Sequence, residues 1–277
     1  MFTSRQQISH LISNKLSQNS DHYQKVWANS GKVKFLIIDN LLPESLADQI
    51  YKCFPSNENM VLRQGPQERK FISVSFPREC SLVEDCLYAF QDTDVICSLA
   101  NICSIPDLHG DPELYAGGIS SMDTGCFLNP HIDNSHDRLR QNYRRLNLLY
   151  YVSPTWNSQT EGCLQLWPDG LKEEPVIISS LFNRLVIMAT DRKSIHSVSK
   201  IISPGEHRRL CISNYFFSPI SPENLEYYHS TSFRGFPDEQ RKDLLLRFGG
   251  NLRTALKSVT GTFFGKVISK GHFRRKN

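Results

Sequence analysis

"LNLLYYVS", Leu146 to Ser153, is the stretch on which the fold turns: a short, almost wholly apolar run rich in Leu and Tyr and followed at once by Pro154. Runs of the same kind follow it in GCLQLW, VIIS, RLVIMA, SVSKII and RRLCISNYFF, separated by SPTWNSQTEG, PDGLKEEP, TDRKS and SPGEH. Short apolar or alternating runs punctuated by Gly, Pro and Asp argue for an antiparallel sandwich or jelly roll and against a βαβ alternation. The sequence therefore predicts an all-β core over residues 115–218.

Outward from that core the texture is helical. Ile8, Leu11, Ile12 and Leu16 have helical spacing on a polar background, the pattern of a surface helix packed by one stripe. In FLIIDNLLPESLADQIYKCF an apolar run, Phe35 to Ile38, gives way to a helix starting near Pro43 with Glu44 in its first turn. Residues 56–80 are mixed, and Ser81 to Cys103 is helical over much of its length. After Pro219 the pattern reads as helical again, through ENLEYYHSTSF and EQRKDLLLRFGGNLRTALKSV. The predicted layout is a helical or mixed N-terminal support (1–114) packed on the core, the β core (115–218) and a basic helical tail (219–277), together one compact domain.

Bulk properties narrow the class. In 277 residues, 39% hydrophobic and 22% charged is ordinary usage for a soluble globular chain, and no apolar run reaches membrane-spanning length. The opening MFTSRQQISHLISNKLSQNSD lacks the apolar stretch of a secretory signal. Eight cysteines form no C-x-x-C and lie mostly among apolar neighbours, as buried thiols do in a reducing compartment, so a cytoplasmic location is expected. Net charge is +4, but eleven Lys or Arg against three acids fall between Arg234 and the end, so the basic character belongs to the tail. That tail mixes its charges with Phe263, Phe264, Val267, Ile268 and Phe273; it reads as packed on the core, with an anionic membrane surface as the other use and nucleic acid disfavoured for want of any binding motif.

The chemistry gathers in NPHIDNSHD, Asn129 to Asp137. In extended chain, residues two apart share a face, so His131 and Asp133 aim at one point while Ile132 faces away. A second imidazole is available in His196, which opens the run HSVSKII. Two histidines and a carboxylate leave three adjacent positions of an octahedral iron open, although zinc hydrolases also bind through three protein ligands. In RRLCISNYFF, Arg209 offers a planar fork for a carboxylate and Ser213 lies on the same face, with Arg208 pointing the other way.

Taken in order, HIDN, LLYYVSP, GCLQLWPDG, FNRLVIMATDRKSIHSV and RRLCISNYFF resemble the iron(II)- and 2-oxoglutarate-dependent dioxygenases, in their prolyl 4-hydroxylase-like branch, over about a hundred residues from Tyr115 to Ser218. The resemblance implies a double-stranded β-helix (jelly-roll, cupin-like) fold and His131, Asp133 and His196 as iron ligands. It implies Arg209 as the partner of the 2-oxoglutarate C5 carboxylate, with Ser213 and Tyr151 donating to the same group; Tyr150 replaces Tyr151 if the register shifts by one. It further implies Fe(II), the co-substrates 2-oxoglutarate and O2, ascorbate as a candidate reductant, and hydroxylation with release of succinate and CO2. A carboxylate at Asp133 favours hydroxylation over halogenation. Where the family's glycine-led strand often opens with a Gly pair, this chain has Gly162 and Cys163, which puts the local backbone geometry in question.

The prime substrate is not legible: a prolyl residue, an amino acid, a sugar or a lipid-linked intermediate suits the same iron site. Two other classes compete with the enzyme reading, a non-catalytic metal-containing β-domain that binds partners and a cupin-like metal hydrolase or isomerase. Arg144 and Arg145 read as solvated loop charges, with an anionic substrate as the alternative. His136 reads as loop, and His10, His22, His109, His207, His229 and His272 have no partner pattern. Trp156 and Trp167 read as packing or rim residues.

Overall fold

The run that opened the reading lies in strand β6 (Tyr143–Tyr151), and β6 is buried on both faces. Leu146, Leu148 and Tyr150 enter one apolar cluster with the helices, whereas Leu149 and Tyr151 enter a second with Val186, Met188 and Cys211. A strand covered on both sides has no polar face to alternate with, which is why it appears in the sequence as an unbroken apolar run. The computed structural model describes residues 4–73, 76, 81–115, 117–154, 156, 161–205, 207–223 and 225–247.

Around β6 the strands are β1 (Phe35–Ile38), β2 (Val61–Gln64), β3 (Glu68–Ile72), β4 (Gly118–Met122), β5 (Phe127–Ile132), β7 (Leu164–Leu166), β8 (Val176–Ile178), β9 (Arg184–Ala189), β10 (His196–Val198), β11 (Arg209–Ser218) and β12 (Ser232–Phe233). They form one sheet in the order β1-β9-β6-β11-β4-β3-β5-β10-β7-β8, with β2 paired to β3 and β12 to β5. Every pairing is antiparallel. Neighbours in the sheet are often distant in the chain, as a jelly roll requires, so the mainly β, double-stranded β-helix class expected from the sequence is the class observed. Strands β1 to β3, from the N-terminal part of the chain, belong to the same sheet.

The helices α1 (Arg5–Gln18), α2 (Ser20–Asn29), α3 (Glu44–Lys52), α4 (Ser81–Ala89) and α5 (Thr93–Cys103) back one face of this sheet. Ser4 and Gln7 close a capping box at the start of α1, whose Ile8, Ile12 and Leu16 are fully buried as the stripe predicted. The helical layer meets Leu146, Leu148, Tyr150, Leu185, Ile187, Leu210 and Ile212 from the outer faces of β6, β9 and β11. Ile187 is fully buried there, so Ile187→Ala is expected to cost about 2–5 kcal/mol, read as a lowered urea midpoint with little change in slope.

Two parts of the sequence reading change. ENLEYYHSTSF shows no helix among its described residues; after a turn it is irregular and ends in β12. Its backbone groups are taken by the H-x-D region: Ser135 and His229 exchange bonds, with Ser135 N donating to His229 O (3.0 Å) and His229 N to Ser135 Oγ (2.9 Å). Arg234 N then donates to Pro130 O at 2.7 Å. Tertiary pairing has overridden a weak local pattern. Downstream, 240–247 is helical as expected, and the basic stretch from 248 on lies outside the described residues. The second change concerns Cys163: only Gly162 needs the left-handed region (φ +61°), and Cys163 sits buried with its N–H donating to Ser199 Oγ at 3.0 Å. The half-kept Gly pair leaves the strand intact.

Candidate metal centre

The antiparallel register of β5 and β10 sets His131 directly opposite His196. Their rings lie 4.1 Å apart, and Asp133, just past the end of β5, reaches 3.7 Å from each Nε2, Oδ1 toward His131 and Oδ2 toward His196. One ligand atom from each of the three side chains falls within 4.8 Å of the others, and all three residues are buried.

The tautomers are fixed by the backbone. His131 Nδ1 lies 2.9 Å from Asn129 O, and His196 Nδ1 lies 3.0 Å from Ser194 O. A carbonyl only accepts, so each Nδ1 carries the proton and each Nε2 presents a lone pair to the centre. Burial, and then the neighbouring His196, pushes the His131 pKa down to about 3, which keeps that ring neutral at neutral pH. Burial alone would raise Asp133, but the Arg144 guanidinium beside it leads the charges that outweigh burial and hold the carboxyl below its ordinary value. Asp133 Oδ2 has no hydrogen-bond partner among the described residues. Two imidazoles and a buried carboxylate with an orphaned oxygen make a donor set that fits a divalent ion.

Deeper along the same interior face sits Arg209, 3% exposed. Its Nε donates to Ser180 Oγ (2.9 Å), its Nη2 to Tyr151 Oη (3.2 Å), and its guanidinium lies 4.7 Å from the Tyr151 ring centre. Burial pushes the Tyr151 phenol up to about 12, so it remains a hydroxyl donor. Tyr150 faces the helices and donates to Asn183 Oδ1 at 2.8 Å, which places Tyr151 and not Tyr150 beside Arg209. Ser213 shares the face of Arg209 and Cys211, its hydroxyl 3.6 Å from Cys211 Sγ. Arg208 points away, donating to Pro55 O. Ser180, buried and donating to Gly162 O while it accepts from Arg209, is a member of this pocket that no sequence pattern singled out.

Arg144 is not the solvated loop charge expected. It lies in β6, 2% exposed, with Nη1 3.4 Å from Asp133 Oδ2, Nη2 donating to Asn134 Oδ1 (2.7 Å), and its guanidinium 4.1 Å from the Tyr215 ring centre. The cause is a register shift between Phe216 and Phe217, whose partners are Leu146 and Arg144. One residue is skipped, the parity of the strand reverses, and Arg144 instead of Arg145 turns inward. Arg145 reaches out to Ile220 O. His136 is also buried, its ring 4.3 Å from that of Tyr143. Trp167 is packed, its Nε1 donating to Ser197 Oγ, as a packing residue should be.

Residues 117–217 match the family described as the 2OG-Fe(II) oxygenase superfamily. The match makes this segment similar to a 2OG-Fe(II) oxygenase domain. The family implies Fe(II), 2-oxoglutarate and O2, in keeping with the His-Asp-His cluster. Over 89 residues the chain is 32% identical to mouse (Mus musculus) prolyl 3-hydroxylase OGFOD1, a match covering 31% of this chain and only 16% of that protein. In structure it is similar to a Pseudomonas putida prolyl-4-hydroxylase (15% identity, 71% of this chain and 98% of that one, TM-score 0.52). It is likewise similar to a structure from a study of Phytophthora capsici prolyl 4-hydroxylases (18% identity, 88% of this chain and 74% of that one, TM-score 0.51). At these identities the shared property is the fold.

Proposed function

We propose that the protein is an Fe(II)- and 2-oxoglutarate-dependent hydroxylase in which His131, Asp133 and His196 hold the iron. The observation that carries this reading is the pair of imidazoles whose Nδ1 protons are committed to backbone carbonyls, leaving both Nε2 atoms and Asp133 turned to one buried point. When bound, Fe(II) with 2-oxoglutarate and O2 supplies the oxidation of the substrate, with release of succinate and CO2. The protein supplies position. Arg209 grips the far carboxylate of 2-oxoglutarate with Tyr151 donating beside it, and Ser213 is assigned to the same carboxylate from its place on the shared face. A prolyl residue is the substrate favoured by the names of the similar proteins, ahead of an amino acid, a sugar or a lipid-linked intermediate. A cytoplasmic setting is supported by the seven described cysteines, all of them free thiols.

The test is anaerobic. Fe(II)-loaded protein titrated with 2-oxoglutarate should develop a saturable visible charge-transfer band, lost in Asp133→Ala and shifted to higher 2-oxoglutarate concentration in Arg209→Ala. Fe(II) binding without any band would remove the co-substrate from the proposal and leave the metal structural or hydrolytic.

A further inference from the structure

The two candidate ligand histidines lie in one row across the sheet. Strands β12, β5, β10 and β7 are in register there, so that Phe233 stands opposite His131, His131 opposite His196, and His196 opposite Leu166. Side chains paired in this way share a face of the sheet. His131 is therefore the middle ring of three: its centre is 4.1 Å from that of His196, tilted by 47°, and 5.0 Å from that of Phe233, nearly parallel at 20°. His196 has core strands on both sides, whereas His131 depends on β12. On that side of β5, strand β3 pairs with Phe127 and Leu128, and at His131 the neighbour is β12. Without β12 this ligand would stand on a sheet edge.

The segment that carries Phe233 is joined to β5 before, at and after His131. Arg234 N donates to Pro130 O (2.7 Å), Asn129 Nδ2 to Arg234 O (2.8 Å) and Asn134 N to Thr231 Oγ1 (3.2 Å). Past β12, Arg234 holds Asp243 through two bonds (2.6 and 3.0 Å), and Lys242 Nζ returns to Asn129 Oδ1 at 3.0 Å. Asn129 is the residue whose carbonyl meets His131 Nδ1, so this segment braces both the face of the imidazole and its hydrogen-bond acceptor. The second torsion of a histidine side chain has a broad well, and one hydrogen bond at Nδ1 limits the swing of the ring without setting its plane. A flat ring packed on the face turned away from His196 does set the plane, and 5.0 Å falls in the range of about 4.5–7 Å at which such pairs attract.

We propose that Phe233 is a positioning residue for the metal centre: stacked on His131, it holds that imidazole in the plane in which Nε2 meets the ion. The inference rests on the reading of His131 as an iron ligand. Residues 117–217, the segment similar to the oxygenase family, then do not complete the site by themselves, and a strand beyond that segment finishes it. Partners that orient a metal-bound imidazole are worth about 10–100-fold in metal affinity. Phe233 acts on one ligand of three and through stacking alone, which places it at the low end of that range.

The test is metal retention by the full chain, with Co(II) as a spectroscopic substitute for iron and no turnover involved. Release to excess chelator is followed by the loss of the Co(II) visible band in the unaltered chain and in Phe233→Tyr, Phe233→Leu and Phe233→Ala. Tyr keeps the flat ring, Leu keeps apolar bulk without it, and Ala removes both. Release should be about tenfold faster in Phe233→Leu and Phe233→Ala and unchanged in Phe233→Tyr. The band should also change shape in Phe233→Leu, because a turned imidazole alters the ligand field, and keep its shape in Phe233→Tyr. Should Phe233→Ala fail to fold, the Leu and Tyr variants decide. A Leu variant with the unaltered release rate or the unaltered band reduces Phe233 to an apolar cover and overturns the proposal, while the iron reading stands. An unaltered chain that binds no Co(II), or a His131→Ala variant that binds it with the unaltered band, overturns the iron reading and this inference with it.

Discussion

Asp133→Ala is expected to abolish 2-oxoglutarate decarboxylation, by more than the roughly 10–100-fold typical of losing a residue that merely supports a metal ligand. The expectation follows from how little else at the site is anionic. The two histidines bring nitrogen donors, and the guanidinium of Arg144 lies 3.4 Å from the carboxylate. Without Asp133 a dication would meet two imidazoles and that cation, with no carboxylate among the three ligands to offset it. His131→Ala and His196→Ala should match Asp133→Ala, since each removes one of three donors. Folding must be separated from chemistry, because Asp133→Ala also strands a buried arginine, and breaking a buried pair from one side costs about 3–5 kcal/mol. Asp133→Ala/Arg144→Leu relieves that penalty. If the double variant regains the unfolding midpoint and stays inactive, the loss belongs to the metal; full turnover in any of the three alanine variants would remove the triad from the mechanism.

How far such a site is legible in sequence depends on what each residue's neighbours do. His131 and Asp133 could be picked out because a spacing of two survives at the end of a strand, and the antiparallel register then sets His196 opposite His131. The core strands were legible because burial on both faces leaves them apolar, as in β6 and β11. The β2–β3 hairpin was not, because its charges are satisfied locally. Glu68 pairs with Lys70, and Arg69 reaches Asp123, so a strand of the sheet reads as mixed polar chain. Arg144 was misread for a different reason: its parity depends on a register shift against β11, which no local pattern in β6 encodes. His229 lay hidden inside an apparent helix, and its placement depends on a segment whose partner is a loop ninety-odd residues earlier.

Arg209→Ala should raise the 2-oxoglutarate KM by about 10²-fold or more while kcat at saturating co-substrate falls far less, since two hydrogen bonds to a charged group are together worth about 3–6 kcal/mol. The site is built to hold the guanidinium still before any ligand arrives. Ser180 accepts from Nε, and the Tyr151 ring lies 4.7 Å from the guanidinium carbon, so the fork's orientation is set by one residue of a loop and one of β6. Preorganisation of that kind makes Lys a poor replacement: a flexible ammonium keeps the charge but loses the planar pair of donors, and Arg209→Lys should recover only part of the affinity. Tyr151→Phe removes one neutral donor and should cost about 1 kcal/mol in binding, a factor of about five. Tyr150→Phe is the control that register supplies. Its hydroxyl donates to Asn183 on the helical side of β6, so the substitution should lower the unfolding midpoint and leave the KM where it was. A KM that responds to Tyr150 and ignores Tyr151 would mean that the interior face of β6 is not the wall of the 2-oxoglutarate pocket, and that Arg209 is buried for structure alone.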